Sequence, residues 1–340
     1  MKLLDKSLNP IQYTEMYWLG NFFGDPAKHS IFNQVFLNYL PDTTAALLID
    51  GGTINGYDGI VIEDRCNHPI DNYHPNDYVT LTSGFNFKEF PRTFKKSDIF
   101  YFPFWLFFSR IAQMTDVEPF PDSRAYYASC VNRNPRMQRI YNVMQLTKRT
   151  YFNDMYITFR NDLLPAMTHQ IVDTLGQDFY NEFSTIYGSL PVSHFDMMNE
   201  LYHCSRVYEA GWTDSYLNVA TTASIDNDGF LCEKVFKPFR AEQLFLFQAP
   251  PNTVSYLRSI GFDMMDDYIN HTHYDSELDW KRRTDLMLEV LDEIYHDIPK
   301  IFLATKSRRV YNRELLQSKG LENSLLKDII NCIEQKGKLL

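Results

Sequence analysis

Two short segments carry residue types at spacings suited to holding a phosphate. The first is S-C-V-N-R-N-P-R-M-Q-R over 129–139, where Arg133, Arg136 and Arg139 stand at the junction of a predicted strand and a predicted helix. Guanidinium forks match phosphate oxygens two bonds at a time, and the free N–H groups of a helix start add donors in the same place. Arg136 and Arg139 are three apart and share a helix face, with Arg133 in the loop above them. Cations at a helix N-terminus oppose its dipole unless an anion is present, although a solvated basic first turn has the same spelling. The second segment is D-N-D-G-F-L-C-E-K-V-F-K-P-F over 226–239, again between a predicted strand and a helix. Glu233 has acceptors for two hydroxyls, Lys234 puts a point charge at the helix start, and Lys237 lies a turn further on. An ordinary surface Glu/Lys pair reads the same way.

The elements that must position these groups alternate between strand and helix, the pattern of a parallel sheet. In the N-terminal part, A-A-L-L-I-D and D-G-I-V-I-E-D, between Thr44 and Asp64, predict two buried strands with Asp50, Asp58, Glu63 and Asp64 at or near their ends. Polar groups at carboxyl strand ends are where open α/β sheets hold ligands. V-T-L-T-S-G (79–84) and D-I-F-Y-F-P-F-W (98–105) predict two further strands. The proline-rich, acidic V-E-P-F-P-D-S-R (117–124) reads as a linker. Beyond it come a strand over 125–131, a helix over 135–148, a strand over 215–222 and a helix opening at 232–239. L-F-L-F (244–247) predicts another strand, followed by helices at 253–260, ending at Gly261, at 276–296 and at 321–337.

A length of 340 residues exceeds what one core usually serves, so two α/β domains are expected, 1–120 and 121–300, with a helical segment 301–340 placed to return to the first. With 44% hydrophobic residues there is ample material for both cores. The most apolar stretch, 99–111, is too short for a membrane span and contains Pro103 and Arg110, and residues 1–10 lack the features of a signal peptide, so no membrane insertion is expected. Five scattered cysteines without a C-x-x-C pair suit free thiols in a reducing compartment, the cytoplasm. A net charge of −10 opposes polyanion binding unless basic residues gather on one face. Small basic groups such as Lys281/Arg282/Arg283 and Lys306/Arg308/Arg309 are commonly solvated faces.

Other signals are weaker. Asp226-Asn227-Asp228 has the D-x-D form that can hold a divalent cation, and it is equally a turn. His271, His273 and Asp275 offer metal-ligand atoms in a polar stretch that suits a solvated loop. Aromatic residues at Tyr73, Tyr78, Phe85, Phe87 and Phe90 suit a stacking loop or a packed core. Motifs for a P-loop, a dinucleotide fold and a nucleophile elbow are absent from the sequence.

Taken together, the arginine loop and the E-K-x-x-x-P segment resemble GT-B glycosyltransferases near the alpha-1,3-fucosyltransferases and exostosin-like enzymes. Glu233 and Lys234 match the E-K of that motif, with Cys232 where threonine is usual. F-L-C-E-K-V-F-K-P-F and L-R-S-I-G-F (257–262) also resemble a group of phage and bacterial proteins of similar length, over roughly 125–295. The resemblance implies two Rossmann-like domains facing a central cleft. It implies a UDP- or GDP-sugar co-substrate, no metal or other cofactor, and a glycan or a hydroxymethylated base of phage DNA as acceptor. Arg133 or Arg136 and Lys234 would neutralise the departing diphosphate. Glu233 would grip the ribose or the sugar, and one of Asp50, Asp58, Glu63 or Asp64 would take the acceptor proton. A phage-encoded chain would work in the host cytoplasm. Two alternatives stay open: a metal-dependent GT-A-type transferase using Asp226 and Asp228, and a non-catalytic protein that binds a nucleotide sugar or glycan.

Overall fold

The computed structural model describes five strands within residues 2–101 and then residues 120–132, 135–159, 164–190, 210–222, 225, 231–325, 327 and 331. The chain divides into two units, Met1–Phe107 with Asp228–Phe230 and Lys319–Leu340, and Phe108–Asn227 with Leu231–Ser318.

The first unit holds a parallel sheet of β1 (Lys2–Leu4), β2 (Ala45–Leu48), β3 (Ile60–Glu63), β4 (Val79–Thr82) and β5 (Asp98–Tyr101). Short apolar and β-branched runs such as A-A-L-L and I-V-I-E are the spelling of strands covered on both faces. The order is β1-β2-β3-β4-β5, so among these strands each lies beside its sequence neighbour and the order never reverses. Glu63 closes β3 opposite Thr82 of β4. Asp50, Asp58, Asp64 and the aromatic loop at 73–90 lie outside the described residues, apart from the strand Val79–Thr82.

The second unit is built on β6 (Tyr126–Val131), β7 (Tyr156–Thr158), β8 (Ser215–Thr221) and β9 (Leu244–Gln248), all parallel. Their order is β7-β6-β8-β9, so the chain moves to one side of β6 and then returns to the other. β9, L-F-L-F-Q, is buried at all five positions, as expected of an apolar run covered by helices.

Helices pack through their apolar spacing. In α1 (Met137–Thr147), Ile140, Val143, Met144 and Leu146 are buried. The hairpin of α2 (Thr168–Leu175) and α3 (Gln177–Ile186) buries only Ile171 and Phe183, and the single turn α4 (Ala210–Thr213) precedes β8. α5 (Glu233–Arg240) contains Pro238, which has no N–H to give to the carbonyl of Lys234. Phe239 stacks on Phe262 at 4.3 Å and meets Phe245 edge-on at 4.8 Å. Each such fully buried ring contributes about 1.5–3 kcal/mol.

α6 (Thr253–Ser259) follows β9, and Gly261, at φ +104°, takes up the left-handed turn beyond it. α7 (Trp280–Ile294) starts where Asp279 accepts a hydrogen bond from the Arg282 amide at 2.7 Å, which explains why it begins later than its periodicity predicts. α8 (Ile298–Ala304) and α9 (Lys306–Gln317) finish the second unit. Arg309 of α9 donates to the carbonyls of Glu242 and Phe302. That contact holds Glu242 at φ +50°, an uncommon conformation for a residue with a side chain. Among the described residues no helix is long and apolar enough to cross a membrane.

Candidate functional site

The strand order of the second unit reverses between β6 and β8, and in open parallel sheets ligands settle outside the carboxyl ends of the strands at such a point. Both phosphate-suited segments fall there. The 132–136 segment links β6 to α1, and 222–232 links β8 to α5. Parallel pairing of β6 with β8 puts both carboxyl ends on the same edge of the sheet.

Polar side chains lock the two segments together. Asn132, fully buried, accepts a hydrogen bond from the Thr221 hydroxyl at 2.6 Å and donates to Cys130 Sγ at 3.2 Å. Arg139, 2% exposed, donates to the carbonyls of Thr221 and Thr222 at 3.3 and 3.4 Å. Gln138 donates to the Thr222 carbonyl at 3.4 Å, and Gln248 at the end of β9 donates to the Gln138 carbonyl at 2.9 Å. Burial pushes the Cys130 thiol up to about 11, with the Asn132 amide pulling it down, so it stays un-ionised at neutral pH. The edge is built from buried polar groups that hydrogen-bond one another, with Arg139 Nε and Gln248 Oε1 making no hydrogen bond among the described residues.

Arg136 and Lys234 place one cation at each helix start, the second beside Glu233 at the first position of α5. Arg136 is the N-cap residue of α1, half-buried, with extended backbone; it makes no side-chain cap, and no acid lies in the first turn. Cys232 occupies the same position in α5 without a side-chain cap, and Lys234 follows, half-buried, as the second residue of that helix. Two adjacent helix N-termini with a guanidinium and an ammonium at their mouths form a surface suited to an anion with several oxygens.

Not every sequence candidate takes part in the same way. Arg139 turns inward onto carbonyls. Lys237, 6% exposed, lies with its ammonium 5.1 Å from the centre of the Trp212 ring. Arg133, Asp226, Asp228 and the side chains of Glu63 and Glu233 lie outside the described residues. Asn132, Thr221 and Gln248 carry the edge, and periodicity gives no sign of them, since each is a polar residue at the end of an apolar run.

The His271/His273/Asp275 group separates into distinct partners. His271 Nδ1 lies 2.8 Å from the Tyr274 hydroxyl and its ring stacks on Phe245, while His273 pairs with Glu289 at 2.9 Å. Asp275 accepts from the amides of Val254 and Ser255 at 2.8 and 2.9 Å, capping α6 from a distance. No group of three His, Cys, Asp or Glu among the described residues is arranged to hold a metal ion.

Burial drives His271 down to about 4 from 6.5. A neutral folded histidine whose unfolded form protonates makes stability fall as pH drops from 6.5 towards 4, by about 3 kcal/mol in all. Urea unfolding at pH 7 and pH 4.5 checks this: His271→Gln should lose less stability on acidification than wild type, and an equal loss in both proteins would refute it.

This architecture defines a parallel α/β protein with an anion-suited edge at the strand reversal of its second unit. No protein-family model matches the chain, and no curated protein sequence matches it. Among solved structures it is similar to a DNA-modifying beta-glucosyltransferase, determined in the presence and absence of uridine diphosphoglucose, with 10% identity, 98% of each chain covered and a TM-score of 0.45.

Proposed function

We propose that the chain is a metal-independent glycosyltransferase of the GT-B type, with Rossmann-like domains at 1–120 and 121–300, that moves a sugar from a UDP- or GDP-sugar to a hydroxyl. The supporting observation is the meeting of the arginine loop and the E-K segment at adjacent carboxyl strand ends, each opening into a helix without a side-chain cap. Glycosyl transfer breaks the bond from the anomeric carbon to the diphosphate and forms one to the acceptor oxygen. The main electrostatic demand is the charge left on the diphosphate, which fixed cations and helix N-termini meet without a metal. Arg136, Lys234 and Arg133 serve the diphosphate, and Glu233 accepts from ribose or sugar hydroxyls. Arg139 and Lys237 act from beneath, holding the edge and α5 in place. The acceptor proton passes to a carboxylate, for which Asp50, Asp58, Glu63 and Asp64 are the proposed candidates. The acceptor is a glycan or a hydroxymethylated base of DNA, and the working compartment is the cytoplasm.

A thermal-shift panel of UDP, GDP, CMP, dTDP and ADP, with and without Mg²⁺, tests this. A ligand at a hundredfold excess over its Kd stabilises the folded form by about 2.7 kcal/mol. One nucleoside diphosphate should raise the melting temperature of the wild type without metal and do so much less in Arg136→Ala and Lys234→Ala. A shift that needs Mg²⁺ would favour a metal-dependent transferase using Asp226 and Asp228. A donor that binds but never yields free nucleotide would favour a binding protein, and no shift at all would sink the donor site.

A further inference from the structure

Gln248 ends β9 at 1% exposure, and its Oε1 makes no hydrogen bond among the described residues. A buried acceptor left unsatisfied costs stability, and an apolar residue of similar shape would avoid that cost. The nitrogen end of the amide is what the fold uses. Nε2 donates to the Gln138 carbonyl at 2.9 Å and to the Thr284 hydroxyl at 2.7 Å. The Thr284 hydroxyl gives its own proton to the Trp280 carbonyl at 2.8 Å, so it meets Gln248 as an acceptor, and the Gln138 carbonyl can only accept. Two acceptors on one side decide which end of the amide is nitrogen.

These contacts close a ring beside the strand reversal. The Gln248 carbonyl accepts from the Thr222 amide at 3.0 Å and from the Thr222 hydroxyl at 3.2 Å, directly after β8. Gln138, the second residue of α1, reaches the Thr222 carbonyl with its side chain. β9 therefore holds the end of β8 by its backbone and the first turn of α1 by a side chain, across β8, which lies between β6 and β9. The α7 turn that carries Thr284 is itself anchored. Asp279 caps it, and Arg283, 2% exposed, donates to the carbonyls of Glu277, Leu278 and Ile225, the last at 3.0 Å. The ties that run from α1 to β8 are long, 3.3 and 3.4 Å from Arg139 and 3.4 Å from Gln138, so the two shorter bonds of Gln248 are the tighter constraint.

We infer that Gln248 is a positioning residue that holds the first turn of α1, and with it Arg136 at the N-cap, against the end of β8. The Arg136 carbonyl accepts a hydrogen bond from the Ile140 amide at 2.9 Å, so the N-cap moves with that turn. The part that concerns ligand rests on the donor-site reading above; the part that concerns the helix does not.

Gln248→Met and Thr284→Val in the full chain test both parts. Methionine keeps the length without the donor. Valine keeps the shape of threonine and removes the acceptor that aims the amide, which leaves the experiment readable should the Met variant not fold. Hydrogen exchange over residues 140–143 should speed up by about tenfold or more in Gln248→Met and about threefold in Thr284→Val, while peptides from α9 keep their wild-type protection. The Kd of the nucleoside diphosphate selected by the thermal panel, measured on folded protein, should rise about tenfold in Gln248→Met. In an Arg136→Ala background the same substitution should raise it by less than about threefold, because both changes act on one contact.

Unchanged exchange at 140–143, exchange raised equally everywhere, or fully additive changes in Kd overturn the inference. So does a lower melting temperature with Kd unchanged, the mark of a residue that serves only the core. Fast local exchange in a protein whose wild type binds no nucleotide upholds the positioning of α1 and removes the donor reading.

Discussion

Lys234→Ala is expected to lower kcat for sugar transfer by about 10²–10³-fold, the loss seen when one fixed charge-stabilising group is taken from a transition state. Lys234 is the second residue of α5, and in the proposed site its ammonium acts with the N–H groups of a helix start that has no side-chain cap. Charge on the departing diphosphate peaks as the glycosidic bond breaks, so the loss should fall on kcat more than on the donor KM. Arg136→Ala, at the N-cap of α1, should cost a similar factor, and the double variant less than the product of the two, since the proposed site sets both against one diphosphate. Release of free nucleoside diphosphate at saturating donor, measured beside the melting temperature of the unliganded protein, checks the claim. A fall in rate with little change in melting temperature supports it. An unchanged rate, or a rate that falls only as far as the folded fraction does, refutes it.

Arg139→Met and Lys237→Met should behave differently, because those side chains are buried and serve the scaffold. Arg139 ties the first turn of α1 to the end of β8 through the Thr221 and Thr222 carbonyls, and its removal leaves buried carbonyls short of a donor. The four cations on 136–139 and 234–237 thus fall into two pairs, Arg136 and Lys234 half-buried at helix mouths, Arg139 and Lys237 one turn deeper in each helix. Of the lower pair, Arg139 ties α1 to the end of β8 and Lys237 lies against the Trp212 ring.

How far this was legible in the sequence depended on whether the signal was local. The strands at 79–82 and 126–131 and the helix at 137–147 follow from runs and spacings within a dozen residues, and they fall within a residue or two of expectation. β7, with three residues after a 3-10 turn, gives too short a run to show a period. α2 and α3 bury one side chain each, so their stripe is faint. The strand order β7-β6-β8-β9 comes from pairing between distant segments and has no local spelling. The same divide runs through the site. Arginine and lysine at 136, 139, 234 and 237 were visible as charge, but which of them turn inward depends on which face of each helix meets the sheet. Arg283 was hidden altogether, since a basic triplet looks solvated until one member is seen clamping a carbonyl 58 positions away.

Gly211→Ala should cost about 1–3 kcal/mol of stability, or more, because the methyl has nowhere to go. A Cβ at this position would lie 2.3 Å from Val131 Cγ2 and 2.9 Å from the Tyr156 ring, both contacts shorter than packed carbon atoms allow. Neither neighbour yields easily, since Val131 is buried in a cluster with Trp212 and Ala241, and Tyr156 packs against it. Backing α4 away breaks something else: the Gly211 carbonyl lies 2.6 Å from the Ser129 hydroxyl, 2.7 Å from that of Ser215 and 2.9 Å from the Gln243 amide, all buried. Losing such bonds leaves those groups unsatisfied, which costs about 1–3 kcal/mol for each group. In a unit of this size each kcal/mol lowers the melting temperature by roughly 2–4 °C, well within reach of a thermal melt. Gly188→Ala is the matched control, because a Cβ there meets nothing within 4 Å and its φ is not positive. Val131 is the last residue of β6, directly before Asn132, so strain placed at Gly211 is carried to the edge where Asn132 meets Thr221. Gly211→Ala should therefore weaken nucleotide binding as well as stability even though it touches no ligand, and a variant as stable as the Gly188→Ala control would show that α4 is free to shift.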